Sequence, residues 1–509
     1  MKQLAIAFAL GAASAFAFQP VGWWPLMIIA FAILCELVGH AGSLRQALLT
    51  GWLFGLGQFV VGLNWIATAF TYQAKMPPSL GWIAVVLLSL YLAIYPALAV
   101  GLAWRIGRDK PVPLVLTLAG SWALTEWLRA GLFTGFAWNP VAVTLVDTPL
   151  RGLSTGIGTY GLSAILVLTG GLLWLAYRRE FKPALGGVAA ILLAAIALRP
   201  QAPLADTELK PVRIVQPNIG QEEKWREGFG DEAAARLAQL SLPKAPHSRL
   251  LLWPEAAITE PVHDQRRISQ AQLLAQFERM RAALVLGPAD VLVTGGIGLT
   301  SSNGQAVDGA TNSVFALVPG GRIVGRYDKA HLVPYGEYLP MRPLLSAIGL
   351  SRLAPGDLDF ADGPGPRTLD LPTFGRMGVQ VCYEIIFSGE VADPRKRPDF
   401  IFNPSNDAWF GSWGPPQHLA QARLRAAEEG IPVIRATPTG ISAVIDADGR
   451  LLRSLPWRTA GRIDTTIPPA RQQTLFGRGG NLIPVLFGFL LIIAGIAVGR
   501  TRRYSAADI

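Results

Sequence analysis

Charged side chains are scarce in this 509-residue sequence, at 16%, where a soluble globular chain carries roughly a quarter. Cysteine is scarcer still, with two residues, Cys35 and Cys382. Cys35 lies in a long apolar run and Cys382 in a distant polar segment, so the two cannot form a disulfide framework. The five histidines, at 40, 247, 263, 331 and 418, show no metal-ligand spacing. No G-x-S-x-G nucleophile elbow occurs. Gly295-Gly296-Ile297-Gly298 lacks the full dinucleotide fingerprint and its later acidic residue. Asp446-Ala447-Asp448-Gly449 reads as a hairpin turn between strands 441–445 and 450–455, not as a calcium loop. Stapled secreted domains, metal enzymes, serine hydrolases and nucleotide-binding enzymes are thereby set aside, and no cofactor or metal is expected.

What charge there is has a telling distribution. The formal net charge is +10, from 45 basic and 35 acidic residues. Residues 200–478 hold 30 basic and 29 acidic side chains, net +1, which leaves 15 and 6, net +9, on the other 230 residues. The excess therefore sits in the apolar part, which argues against a nucleic-acid groove. Apolar runs near 3–18, 21–39, 47–70, 80–104, 113–132, 159–178, 183–198 and 481–499 are long enough to cross a hydrocarbon core of about 30 Å. They predict a polytopic helical bundle of about eight spans, with 131–158 as a long polar-aromatic connection. The expected organisation is spans over 1–198, an external catalytic domain over 199–478, and a last span with a tail over 479–509.

Loop charges orient this bundle. With the N-terminus inside, the inner segments hold Lys2, Arg45, Arg105, Arg108, Lys110, Arg178, Arg179, Lys182, Arg500, Arg502 and Arg503, against only Lys75 and Arg151 in the short outer loops. Both termini are then cytoplasmic and the domain is external, which in a Gram-negative inner membrane means the periplasm. A signal peptide ending near Ala12-Ala13-Ser14-Ala15 is an alternative reading of the first span; its cleavage leaves the downstream topology unchanged.

Three segments of the external domain bear chemistry. Leu250-Leu251-Leu252-Trp253-Pro254-Glu255 is a buried strand ending in a carboxylate. Tyr327-Asp328-Lys329-Ala330-His331-Leu332-Val333-Pro334-Tyr335-Gly336-Glu337 brings an amine and a second carboxylate. Strand Met377–Val381 ends at Cys382-Tyr383-Glu384, which places a thiol next to a turn with a third carboxylate beside it. Taken singly, Glu255 reads as a helix cap, Lys329 as a surface lysine and Cys382 as a small buried hydrophobe. Their succession at strand ends, where sites collect in layered α/β domains, favours a joint role.

The motifs W-P-E, D-K-x-H-L-V-P-Y-G-E-Y and V-C-Y-E resemble the nitrilase, or carbon–nitrogen hydrolase, superfamily and its Glu-Lys-Cys triad in that chain order. With the spans around it, the full length resembles the bacterial apolipoprotein N-acyltransferase family. Gln216-Pro217-Asn218-Ile219, Asn403-Pro404-Ser405-Asn406-Asp407-Ala408-Trp409-Phe410 and the helix Gln417–Glu429 support the match. The resemblance implies an α-β-β-α sandwich with Glu255, Lys329 and Cys382 as catalytic residues. It further implies supporting roles for Glu337, Tyr383 and Glu384, for Trp225 near the acyl site, and for Asn406, Trp409 and Trp138. The implied partners are a phospholipid acyl donor, a diacylated apolipoprotein acceptor and the membrane lipid, with no nucleic acid, and the protein itself is expected to be a monomer.

On that reading Glu255 takes the thiol proton, Cys382 accepts the acyl chain as a thioester, and Lys329 stays cationic beside the oxyanion. The α-amine of a diacylglyceryl-cysteine then attacks the thioester. The apolar stretch 338–353 after Glu337 suits a lid dipping into the interface. Thr134-Gly135-Phe136-Ala137-Trp138-Asn139-Pro140 suits the wall of a lipid route, and Glu126, inside the fifth span, receives no role. The rivals are a membrane-anchored nitrilase-type amidase using water, and a transporter with an external sensing domain. Only Glu126, Glu36 and Asn64 within the spans hint at the second.

Overall fold

Apolar helices come first in the chain. The computed structural model describes residues 2–72, 77–198, 210–224, 226, 228–244, 247–347, 349, 351–353 and 358–504; Trp225 and Lys75 lie outside the described residues. The helices are α1 (Lys2–Ser14), α2 (Trp24–Gly39), α3 (Leu44–Gly62), α4 (Trp65–Ala69), α5 (Leu80–Leu92), α6 (Ile94–Gly107), α7 (Pro111–Gly131), α8 (Ser154–Tyr177) and α9 (Phe181–Ala197). Local chemistry sets their starts: Ser43 accepts from the Gln46 N–H to cap α3, and α7 opens on Pro111, whose fixed φ suits a first turn.

Among the described residues, Leu80–Gly107, Pro149–Tyr177 and Leu482–Arg500 are long and apolar enough to cross a membrane. Leu44–Gly62 and Trp65–Tyr72 form a pair bent by 43°, and Lys2–Ala17, Trp24–Gly39 and Phe181–Ala197 are shorter apolar helices. The protein is thus a membrane protein by its helices. The stretch between α7 and α8 is packed rather than open, with short 3-10 turns at Val141–Leu145 and Pro149–Leu153.

Among the described residues thirteen strands follow: β1 (Pro211–Gln216), β2 (Leu250–Leu252), β3 (Pro261–Asp264), β4 (Val291–Thr300), β5 (Gly309–Val318), β6 (Arg322–Asp328), β7 (Thr368–Leu371), β8 (Gly375–Val379), β9 (Phe400–Pro404), β10 (Val433–Ala436), β11 (Ala443–Ile445), β12 (Leu451–Ser454) and β13 (Gly461–Thr466). With them come α10 (Phe229–Ser241), α11 (Ser269–Ala283), α12 (Arg342–Ala347), α13 (Gly414–Glu429), α14 (Leu475–Gly479) and α15 (Leu482–Tyr504). One sheet runs β13-β1-β2-β4-β5-β6 with β3 on β4, and the other runs β12-β11-β10-β9-β8-β7. The Asp446–Gly449 turn joins β11 to β12, which pair antiparallel.

The period-2 alternation of each strand builds the layers. Val212, Ile214, Leu250, Leu252, Val291 and Val293 face the other sheet, where Met377, Val379, Phe400 and Phe402 meet them. Their neighbours Val215, Leu251, Leu292 and Phe315 point outward to Leu237 of α10 and Ala282 and Ala283 of α11. Gln216 ties the sheets together: its carbonyl accepts from Ser442 N at 2.9 Å and its amide donates to Pro456 O at 2.8 Å. β1, β2 and β4 are parallel, as are β8, β9 and β10. Each set therefore delivers its C-terminal ends to one edge, where Glu255, Cys382 and Asn406 follow.

The helical and sheet parts join through α8 and α13. Gly158 breaks α8 at φ 65°, ψ −176°, a left-handed position natural only to glycine. The break frees the Thr159 N–H, which donates to Glu428 Oε2 at 3.1 Å, joined by Thr159 Oγ1 at 2.7 Å and Ser388 Oγ at 3.0 Å. Arg425 Nε lies 2.6 Å from Glu428 Oε1. Glu126 belongs to the same framework: it accepts from Trp122 Nε1 at 3.0 Å and Val141 N at 2.9 Å, and so holds the connection against α7.

Candidate active site

Glu255 leaves β2 through Trp253-Pro254, and Trp253 N continues the ladder to Val293 O at 2.9 Å. Gly295 in β4 makes room for this exit, since a Cβ there would lie 2.7 Å from Glu255 Cα and 2.8 Å from Pro254 O. Lys329 follows β6, its N–H bonded to Asn312 O at 2.9 Å and its carbonyl to Gly363 N at 2.8 Å. Glu337 closes a tight turn, donating its N–H to Val333 O at 2.9 Å while its Oε2 accepts from Val333 N at 2.8 Å. Cys382 follows β8 at φ +50°, in a region costing a non-glycine residue about 1–3 kcal/mol.

These elements bury one ammonium between two carboxylates. Lys329 Nζ lies 2.9 Å from Glu337 Oε2 and 3.6 Å from Glu255 Oε1, with the lysine 1% and Glu255 5% exposed. Asn312 Nδ2 bridges the acids, donating to Glu255 Oε1 at 2.7 Å and Glu337 Oε1 at 2.8 Å. Asn406 N donates to Glu255 Oε2 at 2.6 Å. Burial alone pulls Lys329 down, but Glu337, then Glu255, more than reverse it, and the amine stays cationic well above its ordinary range. Burial and then Glu255 push the Cys382 thiol up, against the opposing pull of Lys329. Cys382 therefore rests as a thiol rather than a thiolate.

Glu384 stitches two of the loops together. Its Oε1 accepts from Tyr327 Oη at 2.8 Å, Ala330 N at 2.7 Å and His331 N at 3.1 Å, and its Oε2 from Val381 N at 2.6 Å. Burial lifts this carboxyl to about 7, with the Val381 N–H, the Lys329 charge, Tyr327 and the Ala330 N–H pulling the other way. Lys224 Nζ is buried without a hydrogen-bond partner among the described residues. Burial takes it down to about 8, and Glu255 is the charge that opposes this.

Comparison with known proteins gives the family of the chain. Residues 10–172 match the Apolipoprotein N-acyltransferase N-terminal domain family, and residues 212–475 match the Carbon-nitrogen hydrolase family. The chain is 35% identical to the apolipoprotein N-acyltransferase of Rhodopseudomonas palustris over 94% of this chain and 92% of the relative. It is 36% identical to that of Caulobacter vibrioides, over 98% and 94%. The chain belongs to the apolipoprotein N-acyltransferase family. Among solved structures, a Saccharomyces cerevisiae member of branch 10 of the nitrilase superfamily is similar at TM-score 0.38 and 18% identity, covering 53% of this chain and 93% of that one.

Within this member of the family, Glu255 and Lys329 bear on the Cys382 thiol, Glu337 and Asn406 hold those two groups, and Glu384 bonds the N–H of Val381 beside it. Tyr383 reaches the connection, Oη to Gly135 O at 3.4 Å. Trp409 is half-buried, its ring 5.9 Å from that of Tyr72. Trp138 is fully enclosed, packed at tilted or edge-on angles among Trp65 at 4.4 Å, His418 at 5.1 Å and Phe410 at 5.6 Å, and donates to Gln417 Oε1 at 2.8 Å. The expected lid contains α12, with Met341 and Leu344 strongly exposed and Leu339 buried. His331 links the two parts, stacked 3.8 Å from Phe387 with Nε2 3.2 Å from Thr134 O. Sequence reasoning missed Asn312, an asparagine inside a strand with no motif around it, and passed over His418 as an isolated histidine. It read Gly295 only as a failed nucleotide motif.

Proposed function

We propose that this chain moves an acyl group from a phospholipid to the α-amine of a diacylglyceryl-cysteine at an apolipoprotein N-terminus, through a thioester on Cys382. The observation that carries the chemistry is the buried Glu255–Lys329–Glu337 cluster coupled to a protonated thiol at a strand end. Glu255, held by Asn312 and Asn406, accepts the Cys382 proton as sulfur attacks the ester carbonyl. The C–O bond then breaks and Glu255 returns the proton to the departing lysophospholipid oxygen. Lys329 stays charged through both steps and stabilises the oxyanion together with a backbone N–H near Cys382. In the second half the amine forms the C–N bond, the C–S bond breaks, and the proton passes through Glu255 back to sulfur. Glu337, Tyr383 and Glu384 orient these groups; Trp225, Trp409 and Trp138 take the supporting places the family assigns them.

The same reading gives about eight spans, with 1–198 and 479–509 in the membrane part and 199–478 as the catalytic domain on the periplasmic face of an inner membrane. Both termini are cytoplasmic, and the enzyme works as a monomer. The exposed apolar α12 segment suits a lid at the lipid surface. A water-dependent amidase on the same triad is the second reading; the apolar segment beside the site favours lipid substrates over it.

Intact mass of the purified full-length protein after exposure to phospholipid vesicles tests the proposal. An acyl adduct removable by hydroxylamine and absent from Cys382→Ala is expected, followed by its transfer to a diacylglyceryl peptide. Active enzyme without an adduct, or N-acylation by Cys382→Ala, overturns it. Release of free fatty acid in place of acylated peptide favours the amidase.

A further inference from the structure

Cys382 holds a left-handed backbone, φ +50°, which persists in a non-glycine residue only where its surroundings over-determine it. One contact does so directly: His418 Nε2 lies 3.0 Å from Cys382 O. A carbonyl oxygen only accepts, so Nε2 carries the proton. Nδ1 lies 3.0 Å from Arg435 Nη2, a donor, and 3.0 Å from Asp407 Oδ1. Burial and then the Arg435 charge keep His418 below its ordinary range, so the ring is neutral and Nδ1 accepts from Arg435.

Asp407 is clamped in turn. Both its oxygens lie 2.6 Å from Arg435 Nη2, and Ser405 Oγ donates to Oδ1 at 2.7 Å. Arg435 Nη1 bonds Asn403 Oδ1, and Asn403 Nδ2 donates to Gln380 O at 2.6 Å, two residues before the nucleophile. His418, Asp407, Arg435, Ser405 and Asn403 are all fully buried. The Trp138 ring braces His418 from the connection between α7 and α8.

We propose that His418 is a positioning residue for the nucleophile: aimed by Arg435, which Asp407 clamps in place, and braced by Trp138, its Nε2–H holds the Cys382 carbonyl and so the turn that presents the thiol. This rests on reading Cys382 as the acyl-accepting residue. Its function is not to touch substrate but to fix the peptide plane whose rotation would swing sulfur away from Glu255 and Lys329.

The test exploits side-chain length. His418→Gln keeps an amide N–H where Nε2 stood, His418→Asn keeps a polar atom only where Nδ1 stood, and His418→Met fills the volume with no donor. For full-length protein in detergent, the readouts are the thermal midpoint, kcat and KM of acyl transfer, and the rate of Cys382 alkylation by iodoacetamide. His418→Asn and His418→Met are expected to lose about 100-fold in kcat, the scale of a misplaced reacting group. KM should stay within about two-fold, because ground-state binding is untouched. Alkylation should slow with kcat, and His418→Gln should recover about ten-fold or more of the loss. Equal losses in all three variants, or losses carried by KM, overturn the proposal. Should His418→Asn fail to fold, the Gln and Met pair decides alone. Activity surviving in Cys382→Ala would instead remove the underlying reading, whatever His418 does.

Discussion

Replacing Glu337 with Gln takes one of two carboxylates from Lys329 while barely changing volume. Nζ sits 2.9 Å from Glu337 and 3.6 Å from Glu255. At an effective dielectric of about 20, these separations correspond to about 6 and about 5 kcal/mol of attraction, so the variant loses the larger share. A buried charge deprived of a partner typically costs about 3–5 kcal/mol of stability. In the wild-type protein the folded pKa of Lys329 lies above its ordinary 10.5. Its contribution is therefore complete below 10.5 and is lost only as pH rises beyond that value. Without Glu337, burial outweighs Glu255 and the folded pKa drops below the unfolded one. The folded protein then sheds its proton first, and stability rises with pH between the two values. Thermal midpoints of detergent-purified protein from about pH 6 to 10 read this directly. The expected result is a nearly flat wild-type profile and a Glu337→Gln profile that starts low and climbs with pH. Acyl transfer at neutral pH should fall by about 100-fold or more, since the oxyanion partner is no longer held. A Glu337→Gln midpoint equal to wild type and flat with pH would refute the reasoning.

Protonating Glu384 gives it a hydrogen that only Tyr327 Oη can turn to accept, because its other three partners are backbone N–H donors. With its carboxyl lifted to about 7, kcat should fall on acidification through that region. Stability should rise over the same interval, because the folded form binds the proton more tightly than the unfolded chain; Glu384→Gln should lose both trends, at low activity throughout. Gly295→Ala should cut kcat at least about ten-fold and lower stability by about 1–3 kcal/mol through overpacking against the Glu255 backbone. Leu344→Ser, on exposed α12, should raise the apparent KM for phospholipid vesicles with little change in kcat, since it touches only uniform binding. Glu428→Gln should lower the thermal midpoint, because Thr159, Ser388 and Arg425 share that carboxylate; an unchanged midpoint would mean the α8–α13 contact adds nothing.

Much of the site was legible because its chemistry is written in short local strings. Glu255, Lys329 and Cys382 each end or follow a recognisable strand, and the turn Asp446–Gly449 announces itself by its own residues. Glu126 was visible as an acid in an apolar helix, yet its role depended on Val141 and Trp122 meeting it in space. Asn312 was invisible because it lies inside β5, and its importance comes from two carboxylates carried by loops distant in sequence. Trp138 had been expected along a lipid route; in the fold it is walled in by Trp65, Phe410 and His418.

Sequence by itself determined the division into apolar helices and a nearly neutral sheet domain, and the order of the chemistry-bearing residues. Both follow from local composition and from the periodicities of helix and strand, which need no knowledge of partners. Only the tertiary structure decided how the charges balance: that one ammonium lies between Glu337 and Glu255, that Asn312 spans both acids, and that His418 reaches the carbonyl of Cys382. Those facts depend on which strands pair and on which loops share an edge. Pairing joins residues 57 positions apart at Asn312 and Glu255 and 36 apart at His418 and Cys382, separations at which no local pattern carries information.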